Sequence, residues 1–269
     1  MTVEETAMEE ELDYQLDPSW PAGIGYYKNP WHDRNFYIQL ELEHYDIEVA
    51  EDTFAAIRRH IRAPLQIMVW SHECEKIAFI RAAGFELKRR CFELSVSRQG
   101  LKKPLQNKHL LILDQKAPTL QVLHDQAGGA PFTMIQLASG LHLISRVSPQ
   151  YDSAVRILYD YYRSMHENIN PLTTGLAAFS SELPHHAIID LEDDSIRHLA
   201  FIEENEIAYL ASNEPEEFSF FVDKLLSEIF SVYEEICFEA DDIDPLATIL
   251  RLTFHADGKA SYDTYIQSI

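Results

Sequence analysis

One order of elements occurs twice along the chain, and it constrains the fold more than any other feature. In the first pass, residues 35–45 alternate: Phe36, Ile38, Leu40 and Leu42 are apolar, while Gln39, Glu41 and Glu43 are polar. That is the pattern of a half-buried strand. Glu51-Asp52-Thr53 then opens a helix, its acidic groups suited to the N-terminal dipole, with Phe54, Ile57 and Ile61 at helical spacing and Pro64 as a stop. Residues 65–70 read as a short buried strand, and 73–83 as a second helix followed by Gly84 at C′ and by Phe85. Residues 88–96 read as a strand. The second pass opens with a strand at 141–147, a helix over 152–169 and a short helix over 175–183. Strands follow at 187–191, 197–203 and 206–211, the last two joined by a turn at Glu204-Asn205. Asn213-Glu214-Pro215-Glu216 has the form of a capping box with proline in the first turn. Phe218, Phe221, Val222, Leu225, Leu226, Ile229 and Phe230 then make one helical face. A strand (235–240), a helix (245–254) and a strand (261–269) end the chain. Both passes close on strand, helix, strand, helix, strand, so an α/β fold is expected.

Charge divides the same way. The chain has 269 residues and a net charge of -22, with -4 in residues 1–116 and -18 in residues 117–269. Such a surface repels phosphate backbones, so neither nucleic acid nor membrane is an expected partner. At 46% hydrophobic and 11% aromatic residues the chain can build a core. No apolar run reaches the length of a membrane span, and Met1-Thr2-Val3-Glu4-Glu5 lacks the features of a signal peptide, so a cytoplasmic protein is expected. Cys74, Cys91 and Cys237 are far apart and odd in number, which suits reduced thiols and neither a disulfide framework nor a zinc knuckle. The first 15 or so residues read as frayed or as a short surface helix. Gln99-Gly100, Pro104, Pro118 and Gly128-Gly129-Ala130-Pro131 punctuate a connector. The expected domains are 1–98, a connector over 99–140, and 141–269. The basic stretch from Arg81 to Lys116 reads as a solvated connector docked on the acidic half, in preference to an anion site.

The stretch from Ser71 to Val96, with a helix ending in Gly84-Phe85 and a strand through Arg90, Glu93 and Leu94, resembles the end of a domain of the GNAT N-acetyltransferase superfamily. The stretch from Cys237 to Phe254 resembles the same place in a second copy. The second half has the element order of a whole GNAT domain, and residues 17–97 are similar to the later part of one. The resemblance implies two tandem GNAT-like units, one partial and one complete, each a twisted mixed sheet flanked by helices. It implies acetyl transfer from acetyl-CoA to a small amine, which the acidic surface suggests is cationic.

That chemistry asks for a base, an acid and a cradle of free backbone amides for pyrophosphate. The resemblance makes Glu239 and Glu206 the candidate bases and Tyr262 a candidate acid. Ala211, Ser212 and Asn213 stand where the cofactor belongs, and His166, Asn168 and Asn170 where the acceptor does. The pattern departs from the family at two points. The glycine-rich loop Arg/Gln-x-x-Gly-x-Gly/Ala is replaced by Ser212-Asn213-Glu214-Pro215-Glu216-Glu217, in which Pro215 has no N–H and three carboxylates stand where phosphates bind. The tyrosine often found four residues before the Gly of Gly-Phe is Ile80. The alternative reading is therefore a degenerate GNAT-fold binding module without CoA. A homodimer is compatible with either. His185-His186 with Asp190 does not make a metal site, since adjacent residues of an extended segment face opposite ways. Asp241-Asp242-Ile243-Asp244 is read as a loop and helix cap rather than a cation site.

Overall fold

The computed structural model describes residues 15–16, 20, 22–105, 120, 132–256 and 258–269. The expectations for the first residues and for most of the connector, including Lys108, Lys116, Pro118 and Gly128 to Pro131, fall outside them. Two units form. The first comprises residues 1–88, 169–173 and 263–269; the second, 89–168 and 174–262.

The sheet of the first unit runs β1 (Gln15–Leu16), β2 (Ile24–Tyr27), β3 (Phe36–Leu40), β4 (Leu65–Trp70) and β12 (Tyr262–Gln267). β2 and β3 are antiparallel; β3 and β4 are parallel, joined through α1 (Ala50–Arg58). α2 (Cys74–Ala82) follows β4. Its end is a Schellman motif: Gly84 N–H donates to Arg81 O (3.0 Å) and Phe85 N–H to Ile80 O (3.1 Å), with Gly84 at φ 87°. A side chain is strongly disfavoured at that φ, which is why glycine stands there. Trp20, Ile24, Ile38, Leu40, Phe54, Ile57, Leu65, Phe79, Phe85 and Tyr265 form the core of this unit.

The second unit's sheet runs β5 (Glu86–Ser97), β11 (Glu235–Asp241), β10 (Glu206–Ser212), β9 (Ser195–Glu203), β8 (His186–Glu192), β7 (His142–Ser145) and β6 (Met134–Gln136). All neighbours are antiparallel except β10 and β11, which are parallel. α3 (Pro149–His166), α4 (Leu176–Glu182), α5 (Phe218–Ile229) and α6 (Pro245–Leu252) complete the unit. Ser148 caps α3, with proline at the first helical position. The expected apolar face of α5 is buried: Phe218, Phe221, Val222, Leu225, Leu226 and Ile229 are at most 1% exposed. They pack with Leu94, Val96, Ile236, Phe238 and Ala240 of the sheet.

Most elements fall where the periodicity puts them. Three differences have physical causes. The alternation that runs to Tyr45 ends as a strand at Leu40, although Leu42 and Tyr45 still pack on the core. The capping box at Asn213–Glu216 does not form. Asn213 Nδ2 donates to Ile196 O (2.8 Å), Ser212 Oγ takes the Glu214 N–H (2.9 Å), and a 3-10 turn, Pro215–Glu217, precedes α5. Strand β2 escapes a periodicity search because Gly25 interrupts its apolar run. It is held instead by Gly23, whose φ is 83° and where a Cβ would lie 2.5 Å from Glu41 O.

The sheet of the first unit thus contains residues from the far end of the chain. Tyr265, on β12, is 4% exposed and packs in the core with Ile24, Leu65 and Phe79. Tyr265→Ala should cost about 3–5 kcal/mol, the usual range for truncating a large core aromatic. The check is the urea midpoint together with limited proteolysis. Cleavage should appear within residues 22–88, far from the substitution in sequence.

Candidate functional site

The second unit's sheet has one apolar face and one charged face, set by strand alternation. β5 and β11 are in register with Ser95 opposite Cys237, Glu93 opposite Glu239, and Cys91 opposite Asp241. Directly opposite residues share a face, so Arg89, Cys91, Glu93, Ser95, Cys237, Glu239 and Asp241 lie together. Leu94, Val96, Ile236, Phe238 and Ala240 turn to the core. The face sets one carboxylate against another, Glu93 against Glu239, with Arg89 as a compensating cation. Arg89 Nη1 lies 3.0 Å from Asp241 Oδ2.

Two tyrosines converge on these acids. The register of β10 with β9 shifts between Ile207 and Tyr209, and such an irregularity re-aims the following side chains. Tyr209 lies 6.2 Å, edge to face, from Tyr162 of α3, which in turn stacks on His166 at 4.1 Å. Burial first, and then the Glu239 charge, push the Tyr209 phenol up to about 12. The Tyr162 phenol is raised chiefly by burial, then by Tyr209. Glu239 is exposed to solvent at its surface but has protein close around it. Its pKa is raised by burial first, then by Asp241 and Glu93, while the Cys91 thiol 3.7 Å away lowers it. Asp241 is raised by burial against the pull of Arg89. The Cys91 thiol itself is pushed up, by burial and then by Glu239, so it is a protonated neighbour and not a nucleophile.

The parallel pair opens beside this face. β10 and β11 pair only at Glu206–Cys237 and Ile207–Phe238. β10 goes on to Ser212 along β9, and β11 to Asp241 along β5, so the two strands part beyond Ile207. Glu239 and Tyr209 lie past the point of parting.

The residues singled out in sequence fall as follows. Glu239 is on the charged face. Glu206 opens β10 at the closed end of the parallel pair, opposite Glu203, its pKa raised by burial and then by that neighbour. Tyr262 opens β12, where the chain passes from the second unit to the first. His166 is buried and stacks on Tyr162, Asn168 is exposed, and Asn170 belongs to the first unit. Ala211 is fully buried. Ser212 Oγ is engaged by His198 Nδ1 (2.8 Å) and by the Glu214 N–H, and the Asn213 N–H donates to Arg197 O (2.8 Å).

Two carboxylates of the following turn, those of Glu214 and Glu217, are also engaged. Arg197 Nε lies 3.0 Å from Glu214 Oε2, Nη1 lies 3.5 Å from Glu192, and Nη2 bonds Glu217. The Glu217 N–H donates to Glu214 O (3.2 Å), and Pro215 has none. The amides of Asn213, Glu214 and Glu217 are spent and Pro215 has none, and the turn is lined with acid. This segment does not fit the pyrophosphate of acetyl-CoA. Asp244 caps α6, accepting from Leu246 N–H (2.8 Å) and Ala247 N–H (3.2 Å), and Asp242 accepts from Arg90 N–H (2.9 Å). Asp242 and Asp244 are therefore loop and cap as expected, whereas Asp241 is not loop: it ends β11, paired opposite Cys91 on the charged face. Among the described residues no three His, Cys, Asp or Glu side chains are placed to hold a metal ion, and no helix is long and apolar enough to cross a membrane.

No protein-family model matches the chain, and no curated protein matches it by sequence. Solved structures are similar to it at low identity. A GCN5-related N-acetyltransferase from Sphaerobacter thermophilus is 9% identical, with 91% of this chain and 76% of that one covered and a TM-score of 0.44. A conserved protein of unknown function from Staphylococcus epidermidis is 10% identical over 96% of each chain, with a TM-score of 0.45. A tandem GNAT protein from the clavulanic acid biosynthesis pathway is 9% identical over 91% of this chain and 78% of that one, with a TM-score of 0.42. At these scores the likeness adds nothing to the chain's own strand order, a mixed sheet flanked by helices, which is the GNAT-like arrangement that the sequence resemblance implies.

The raised Glu239 pKa fixes a sign. A carboxyl that holds its proton more tightly folded than unfolded stabilises the fold below its ordinary pKa, and that contribution is lost as pH rises through the raised value. Glu239→Gln should therefore be more stable than the wild type at pH 7, and the gap should close below the ordinary glutamate range. Thermal melts across pH 4–8 check this; a gap that widens in acid would contradict the assignment.

Proposed function

We propose that the chain is a GNAT-fold protein whose second unit binds a small cationic amine on the charged face of its sheet, without acetyl-CoA at the turn after β10. The convergence of Glu239 and Asp241 with the rings of Tyr209 and Tyr162 carries this reading. An ammonium group there offsets the Glu93–Glu239 repulsion, which a folded sheet otherwise has to absorb. The aromatic faces attract the same charge. Three free thiols suit a reducing, cytoplasmic setting.

Acetyl transfer to that amine is the second reading. It is favoured by the raised pKa of Glu239, which moves this carboxylate toward the range of a general base able to take the proton from a bound ammonium. Acetyl-CoA would be the acetyl donor, and the parting of β10 and β11 leaves an open edge beside Glu239. The turn at 212–217 argues against it.

Calorimetry separates the two. Spermidine, used as the probe amine, should bind, and more tightly as pH rises from 4 to 7 and the carboxylates lose their protons. Glu239→Gln combined with Asp241→Asn should weaken binding by about tenfold or more, about 1.4 kcal/mol. Absence of spermidine binding sinks the amine site. Acetyl-CoA at millimolar concentration should give no heat; saturable binding with amine-dependent thiol release would replace the first reading with the second. Replacing Glu214, Glu216 and Glu217 with Ala should not restore acetyl-CoA binding, because Pro215 and the bonds of Ser212 remain. A clear gain in affinity would show instead that the carboxylates alone close the site.

A further inference from the structure

A cavity of about 560 Å³ lies in the first unit, lined by Glu51, Ala55, Arg58, Arg59, Ala82, Ala83, Gly84 and Gln267. Glu51, Ala55, Arg58 and Arg59 share one face of α1 and its end, by helical spacing. The floor is made of small residues from the end of α2, and a Cβ added to Gly84 would meet only Gln267 Nε2, at 3.8 Å. The chemistry of the wall is unusual for so acidic a chain. The Arg58 guanidinium is fixed by neutral acceptors: Nε donates to Gln267 Oε1 (2.9 Å), Nη1 to Ala63 O (2.7 Å), and Nη2 to Ser268 O (3.1 Å) and to Gln267 O. No carboxylate of the described residues pairs with it, and the influence on its pKa is burial, which pulls it down. Arg59 is exposed at the rim beside it. Two guanidinium groups thus face one carboxylate, Glu51. Capping the last turn of α1 explains why arginines stand there, but not why small residues hollow out the space beside them.

We infer that this cavity binds a small oxyanion, a carboxylate or a phosphate, through Arg59 and the pre-positioned Arg58. A guanidinium already held by neutral partners loses little conformational freedom on binding: Arg58 contributes its charge and its one remaining Nη1 N–H, and the exposed Arg59 supplies the planar N–H edge that matches either anion. The alanine-lined floor accepts a short apolar portion of the ligand. This site is independent of the amine site, which lies in the other unit and attracts the opposite charge.

Titration of the intact chain with acetate and with inorganic phosphate at low ionic strength, followed by arginine Nε–H resonances, tests the inference. Saturable shifts at Arg58 and Arg59 at millimolar anion are expected. Arg59→Gln should weaken binding about tenfold, and Ala55→Leu, which fills the space from a solvent-facing helix position, should abolish it. Thermal melts should show both variants folded. Binding of phosphate alone or of acetate alone supports the site and names its preferred shape. Absence of saturation with both anions, or binding that both folded variants retain, overturns it.

Discussion

Every strand edge presents unpaired N–H and C=O groups, and the chain must cover those that border a core. In the first unit the edge of β4 is covered by β12, the last strand of the sequence; in the second, the edge of β11 is covered by β5, which ends the first pass of elements. Each pass of strand, helix, strand, helix, strand therefore supplies the closing strand of a sheet that it does not otherwise build. The two cores, the short parallel pairs and the charged face of the second unit rest on this arrangement. Cys91, Glu93 and Arg89 reach Glu239 and Asp241 because β5 lies along β11.

That placement also determines the electrostatics. Most of the chain's net charge lies in its second half, but the acids with altered proton affinity are few and close together. Glu239 and Asp241 are raised chiefly because protein surrounds them. By contrast Glu214 and Glu217, which in the sequence are the conspicuous carboxylates, spend their charge on Arg197. Number of acids and strength of local field are separate quantities, and the second depends on which cations the fold brings near.

The sequence was legible where a signal is local. Leu65–Trp70 is read to the residue, and the Gly84-Phe85 helix end follows from glycine's tolerance of positive φ. The apolar face of α5 follows from its 3.6-residue period. What could not be read is register. Nothing in the order of residues says that Glu93 lies opposite Glu239, or that Tyr162, one of several apolar-face residues of α3, meets Tyr209. The closing strands were equally hidden, because residues 262–267 look like the natural end of the second pass. Asp241 belongs to an acidic run that reads as loop, although strand alternation alone puts it on the face of Glu239.

The lending of β12 also has a consequence in time. Chains are made from the N-terminus, and domains generally fold as their sequence emerges. Here the first unit cannot close its sheet when its own consecutive residues are complete. It waits until β12 has been made, with Ile67 and Val69 beside an open β4 edge until then. A protein built this way completes its first unit only after nearly all of its second, and any chain that stops short of Tyr265 leaves that first unit unfinished.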